Sequence, residues 1–152
     1  LLHPASLIIP LLIVLPNLIF IRFPPANPPT RPNPSLLLNA AEAIGRLGVM
    51  AVPLFYPMRT HQSYEMISLI VMLTALLLYC RGWLKYLRSD RDYSRLLTPT
   101  LGIPVPMAVF PCLYFLAASI VLHSVLFFVF AAVFAIGHIA NSLKDYRIIA
   151  RR

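Results

Sequence analysis

The chain has 152 residues, 59% of them hydrophobic and only 12% charged, with a mean hydropathy of +0.78. A soluble domain carries about 25% charged residues, and a soluble chain this small could not cover so much apolar surface. The formal charge of +8 comes without a basic face or nucleic-acid motif, so nucleic acid is not an expected partner.

Lipid removes the need for a polar coat, provided that backbone polar groups pair internally, as they do in helices or closed barrels. Barrel strands alternate apolar and polar residues, whereas the runs 69–78 and 125–136 are almost wholly apolar. The expected fold is therefore all-α: one polytopic integral membrane bundle over 1–152, of about five transmembrane helices.

A bilayer core of about 30 Å needs about 20 helical residues. The first predicted span is 5–23, with Pro10 and Pro16 inside it, and prolines are tolerated in membrane helices as kinks. The chain opens on Leu1 rather than Met, which points to a start further upstream. Residues 5–22 lack a basic leader and a small-residue cleavage site, so they read as a helix and not as a secretion signal. Residues 24–34 follow, with six prolines in eleven positions. That density forbids helix and favours an extended, semi-rigid connector.

The second predicted span is 36–56, with Ser35 as its N-cap. Ser35, Asn39, Glu42 and Arg46 are spaced 4, 3 and 4 along it, which places them on one helix face. Glu42 precedes Arg46 by four residues, the better orientation for an intrahelical pair. A charge near the bilayer centre costs about 2.5–3.5 kcal/mol on insertion scales, so this stripe is expected to face protein or a water-filled cavity. Ala41, Gly45 and Gly48 lie on an adjoining face and predict a close helix contact.

After the polar link 59–63, the third predicted span is 64–80. The charged loop is expected over 81–98, with Trp83 and Tyr86 in the interfacial aromatic belt. Residues 99–142 are too long for one span and suit two, at 102–122 and 125–142, with the turn at His123 and Ser124. His138, Asn141, Ser142 and Asp145, at offsets 0, 3, 4 and 7, form a second polar stripe on the last span.

Basic residues test the span count. Five spans put Arg22, Arg31, Arg81, Lys85, Arg88, Arg91, Arg95, Lys144, Arg147, Arg151 and Arg152 on one side and Arg59 alone on the other. By the positive-inside rule the C-terminus is then cytoplasmic and the N-terminus outside.

On this topology both polar stripes lie near the cytoplasmic boundary. The candidate ligand-binding residues are Asn39, Glu42, Arg46, His138 and Asn141. In this reading Arg46 holds an anionic group, Glu42 balances it or exchanges a proton, and the other three orient the ligand.

Cys80 and Cys112 are too isolated to form a disulfide framework or a metal site. The other histidines offer no facing pair for haem, so neither cofactor nor metal is expected. The familiar catalytic motifs are also missing. Three functions remain in contention. One is a pocket that binds or transports a small amphiphile, an anion or a proton. Another is an accessory subunit of a larger membrane complex, and the last is an enzyme acting on a lipid-like substrate with Glu42 or His138 as acid or base. Membrane lipid is the expected partner in each, with other membrane subunits or a second copy as further candidates.

Overall fold

The computed structural model describes residues 1–28, 30 and 34–151, and every regular element among them is helical. Helix α1 is Ile8–Arg22, led in by a 3-10 turn at Pro4–Leu7. Helix α2 is Leu36–Ala51 and runs into a second 3-10 turn, Val52–Phe55. Helices α3 to α6 are Ser63–Leu87, Ser94–Leu97, Pro106–Val121 and Val125–Ala150. Four stretches are long and apolar enough to cross a membrane: Pro4–Arg22, Leu36–Phe55, Ser63–Leu87 and Val125–Ala150. Helix α5 is apolar but shorter, at 16 residues.

Local chemistry sets where these helices start. Ser35 Oγ accepts the Leu38 N–H at 3.4 Å, and Ser124 Oγ accepts the Phe127 N–H at 3.0 Å. Each hydroxyl satisfies one of the amides that a helix N-terminus leaves unpaired. Helix α5 starts at Pro106 and not at Gly102 as the sequence suggested. Leu101, Gly102 and Val105 have positive φ, and prolines 104 and 106 each disfavour helix in the residue before them. The segment bends, and Thr100 and Ile103 exchange backbone hydrogen bonds across it.

Two helices outrun their expected ends, α3 continuing past 80 to Leu87 and α6 past 142 to Ala150. An apolar run marks the lipid-facing stretch, whereas the backbone stays helical through residues such as Arg81, Lys85 and Lys144, which have good helix propensity. The charged loop consequently begins at Arg88.

Trp83 and Tyr86 are also corrected. Both are buried in the bundle around Phe20 of α1. The Tyr86 hydroxyl donates to the Phe23 carbonyl at 2.8 Å, the kind of partner that lets a tyrosine ring go inside.

The expected proline connector falls partly on residues 29 and 31–33, outside the described residues. Its first part is fastened to the charged loop. Ala26 N donates to Arg91 O at 3.2 Å, Asn27 Nδ2 to Asp92 Oδ1 at 3.0 Å, and Tyr93 N to Asn27 Oδ1 at 2.9 Å. The Asn27 amide, helped by Ser94, holds the Asp92 carboxyl below the usual carboxylate range.

Helix α5 is the centre of the bundle. It touches α1, α3, α4 and α6 and buries Phe110, Tyr114, Phe115, Ala117 and Ala118. Helix α2 is peripheral and packs on α6. The two run antiparallel, since Gly45 lies opposite Phe134, Gly48 opposite Phe130, and Gly137 opposite Glu42. Glycine is needed along this seam. A Cβ on Gly45 would strike the Phe134 backbone, one on Gly48 the Phe130 ring, and one on Gly137 would sit 2.5 Å from the Glu42 nitrogen. Small residues let two backbones approach this closely.

The helix ends gather into two groups. His3 N donates to Leu54 O at 2.7 Å, Ser6 Oγ to Tyr56 O at 2.6 Å, and Arg59 N to Val121 O at 2.8 Å. At the opposite, basic end lie the Tyr86–Phe23 and Ala26–Arg91 bonds and a Tyr93 hydroxyl that donates to Asp145 Oδ2 at 3.1 Å.

Candidate functional site

The close α2–α6 seam is what brings short polar side chains of the two helices together. On α2, Asn39, Glu42 and Arg46 fall one turn apart on a single stripe. On α6, His138 and Asn141 directly follow Gly137, where the backbones are nearest. Asn141 Nδ2 donates to Glu42 Oε2 at 2.7 Å and to Asn39 Oδ1 at 3.0 Å. Arg46 Nη2 donates to Glu42 Oε1 at 2.7 Å. His138 Nδ1 lies 2.9 Å from the same oxygen. A carboxylate only accepts, so the imidazole there is either the Nδ1–H tautomer or protonated. Its ring is stacked on Phe134 at 4.9 Å between centroids, which fixes its orientation.

All five candidate residues named from the sequence thus share one hydrogen-bonded cluster, in which three donors converge on one carboxylate. The cluster is neutral with neutral His138 and carries a positive charge when His138 is protonated.

Its two charged members differ in surroundings. The Glu42 side chain is 17% exposed and that of Arg46 is 60% exposed. Of the stripe expected to face protein or a water-filled cavity, Glu42 faces α6, and Arg46 is largely exposed in the isolated chain. Helix α2 packs mainly on α6, and the long Arg46 side chain reaches past the edge of that seam. Glu42 is the only side-chain partner of the guanidinium among the described residues.

Sequence reasoning missed several polar contacts. The Tyr79 hydroxyl donates to Asn17 Oδ1 of α1 at 2.6 Å. At the far end of the bundle, Glu65 Oε2 accepts the N–H groups of His61 at 2.6 Å and Gln62 at 2.9 Å, while Oε1 meets His123 Nε2 at 2.5 Å. Here a signal was available, because a Glu three residues after a helix N-cap is the mark of a capping box. Asp145, placed by the sequence on the second polar stripe, is buried against Tyr93.

Glu65→Ala is expected to lower the melting temperature of the detergent-solubilised protein clearly more than Glu65→Gln. The alanine leaves two backbone donors and His123 without their acceptor, whereas the glutamine amide oxygen still accepts. Equal melting temperatures for the two variants would contradict this role. Neither a family model, a curated protein nor a solved structure matches the chain.

Proposed function

We propose that the chain is a five-pass membrane protein whose α2–α6 seam forms a polar pocket facing the cytoplasm, where it binds or transports a small amphiphile, an anion or a proton. One observation carries this reading. Glu42 is saturated by donors from two helices, while Arg46 beside it keeps most of its donors unused inside a membrane-length helix. Ionisable residues at such depth mark ligand or ion sites by default.

The grouping of helix ends supports alternate crossings by α1, α2, α3, α5 and α6, with the proline-rich connector on the basic side. Helix α5 would extend about 24 Å at 1.5 Å per residue, but it is wrapped by other helices and has little lipid to match. The charge split then orients the bundle, with the basic end and the C-terminus in the cytoplasm and the N-terminus outside. Single cysteines at Ser89 and Gln62, in a background lacking Cys80 and Cys112, are expected to label from opposite sides of the membrane. Labelling from one side would remove the five-span topology.

The site is tested by mass spectrometry of what co-purifies with the protein. The wild-type chain is expected to carry a small anionic or amphiphilic molecule, and Glu42→Gln combined with Arg46→Met is expected to fold without it. A double variant that folds and keeps the molecule overturns the pocket.

A second reading, an accessory subunit, draws on the same exposure of Arg46, since an acidic side chain of a neighbouring chain would also satisfy it. Purification separates the two. A stable, monodisperse lone chain supports the pocket, and stability gained only with a co-purifying protein supports the subunit.

A further inference from the structure

We infer that the outer face of α3, where the helix leaves the bilayer, docks a membrane lipid whose headgroup carries a second phosphate further from the bilayer than the first. Arg81, Lys85 and Arg88 form the docking stripe. It lies apart from the α2–α6 pocket and rests only on the reading that α3 crosses the membrane, so the pocket stands or falls separately.

The helix itself places the three cations. Positions 81, 85 and 88 are spaced 4 and 3 along Ser63–Leu87 and its C-cap Arg88, which sets them on one face over two turns. All three are exposed. Ile70, Leu73 and Leu77 are exposed on the same face, one to three turns before Arg81. Met72, Tyr79, Trp83 and Tyr86 are buried on the opposite face. The uncovered face therefore changes from apolar to basic within the single turn between Leu77 and Arg81.

Depth fits a lipid headgroup. Counted at 1.5 Å per residue, Arg81 is about 27 Å from Ser63, close to the bilayer core of about 30 Å. Arg81 thus meets a phosphate at the boundary, with acyl chains along Leu77, Leu73 and Ile70. Arg88 stands about 10 Å further out along the helix. A single phosphate engages neighbours one turn apart, whose Cβ atoms are about 5–6 Å from each other. A second phosphate is needed to use all three cations, and it must lie outward of the first rather than beside it.

The stripe is held rigid and its charges are available. Behind it Trp83 and Tyr86 pack around Phe20, and the Tyr86 hydroxyl is bonded to the Phe23 carbonyl. Gly82 lies against Met107 of α5, whose sulfur sits where a Cβ would project. A fixed array of donors binds at lower entropic cost than a mobile loop. No ion pair joins the three cations to an acid among the described residues, and Asp92 of the following loop is engaged by Asn27 and Ser94. Membrane orientation calls for positive charge on this side, which Arg91 and Arg95 of the loop also supply. It does not call for three cations aligned on one helix face. Such an array suits the several anionic oxygens of phosphate groups.

The test is native mass spectrometry of the full chain in nonionic detergent, with oleoyl lipids as probes. Phosphatidylinositol 4-phosphate is expected to be retained best, because its second phosphate stands outward from the diester. Cardiolipin, whose two phosphates lie side by side at one depth, and phosphatidylglycerol, with a single phosphate, should each be retained about fivefold less, the effect of one cation left unused. Phosphatidylcholine should be retained least. Inositol 1,4-bisphosphate, the same headgroup without acyl chains, should not compete at equal concentration.

Arg81→Gln, Lys85→Gln and Arg88→Gln are each expected to weaken retention of the phosphoinositide about fivefold, and the triple variant about a hundredfold. The three positions are exposed, so the variants should melt with the wild type, and the lipid ranking is read on the unaltered chain in any case. Arg147→Gln, at an exposed position of α6, removes the same charge at the basic end away from the stripe and should leave retention unchanged. A loss in Arg147→Gln equal to that in Arg88→Gln would show attraction to net charge alone and overturn the proposal. Cardiolipin retained as well as the phosphoinositide overturns it, as does competition by inositol bisphosphate at equal concentration. Retention lost in the Glu42/Arg46 double variant but kept in the three stripe variants overturns the stripe and leaves the α2–α6 pocket standing.

Discussion

Gly45→Leu is expected to destabilise the detergent-solubilised protein by about 3 kcal/mol, at the upper end of overpacking costs. The position leaves no room for relief. A Cβ there meets the backbone nitrogen and Cα of Phe134, and backbone inside a packed helix cannot swing away. Phe134 is itself wedged edge-on against Phe115 of α5 and stacked on His138. Parting α2 from α6 to admit the new side chain would also stretch the Asn141–Glu42 and Asn141–Asn39 bonds. Gly48→Leu should cost less, because its Cβ meets the Phe130 ring, which can change rotamer at the edge of the bundle. Val71→Leu on α3, at a half-buried position, should cost less than either. Thermal denaturation of the three variants gives the ranking. A Gly45 variant as stable as the Val71 variant would mean that the seam is not the tight contact described.

The second large effect concerns the Glu42–Arg46 pair. Breaking a buried pair from one side costs about 3–5 kcal/mol, whereas replacing both partners with neutral groups is often neutral. Arg46 is well exposed in the isolated chain, and exposed ion pairs contribute little, so the loss in Glu42→Gln should fall below that range, at about 2 kcal/mol. The remainder comes from His138 and Asn141, which lose the charged acceptor that they share with Arg46. Adding Arg46→Met is expected to restore part of the loss. Melting temperatures of both single variants and the double complete the cycle. A double variant less stable than Glu42→Gln alone would show that Arg46 is held by something other than Glu42.

Much of this protein is written in local patterns. Helical class follows from the long apolar runs and their composition. The N-cap at Ser35 follows from the chemistry of a few neighbouring residues, and the turn at His123 and Ser124 from the length of the apolar stretch 99–142. Both polar stripes, Asn39–Glu42–Arg46 and His138–Asn141, are legible because a 3.6-residue period places such residues on one face. The glycines of α2 likewise announce a close contact, though not with which helix. Helix ends were less readable. Hydropathy reports where lipid stops, and α3 and α6 continue as helix beyond that point.

Only the tertiary arrangement decided that α2 lies against α6, which joins two stripes about a hundred residues apart. It also turned Trp83 and Tyr86 inward, bonded Tyr79 to Asn17, and left Arg46 at the rim. These outcomes depend on which helices become neighbours and how closely their backbones approach. A contact between distant segments leaves no periodic trace along either one, so the sequence names the residues of the cluster while packing alone determines that they meet.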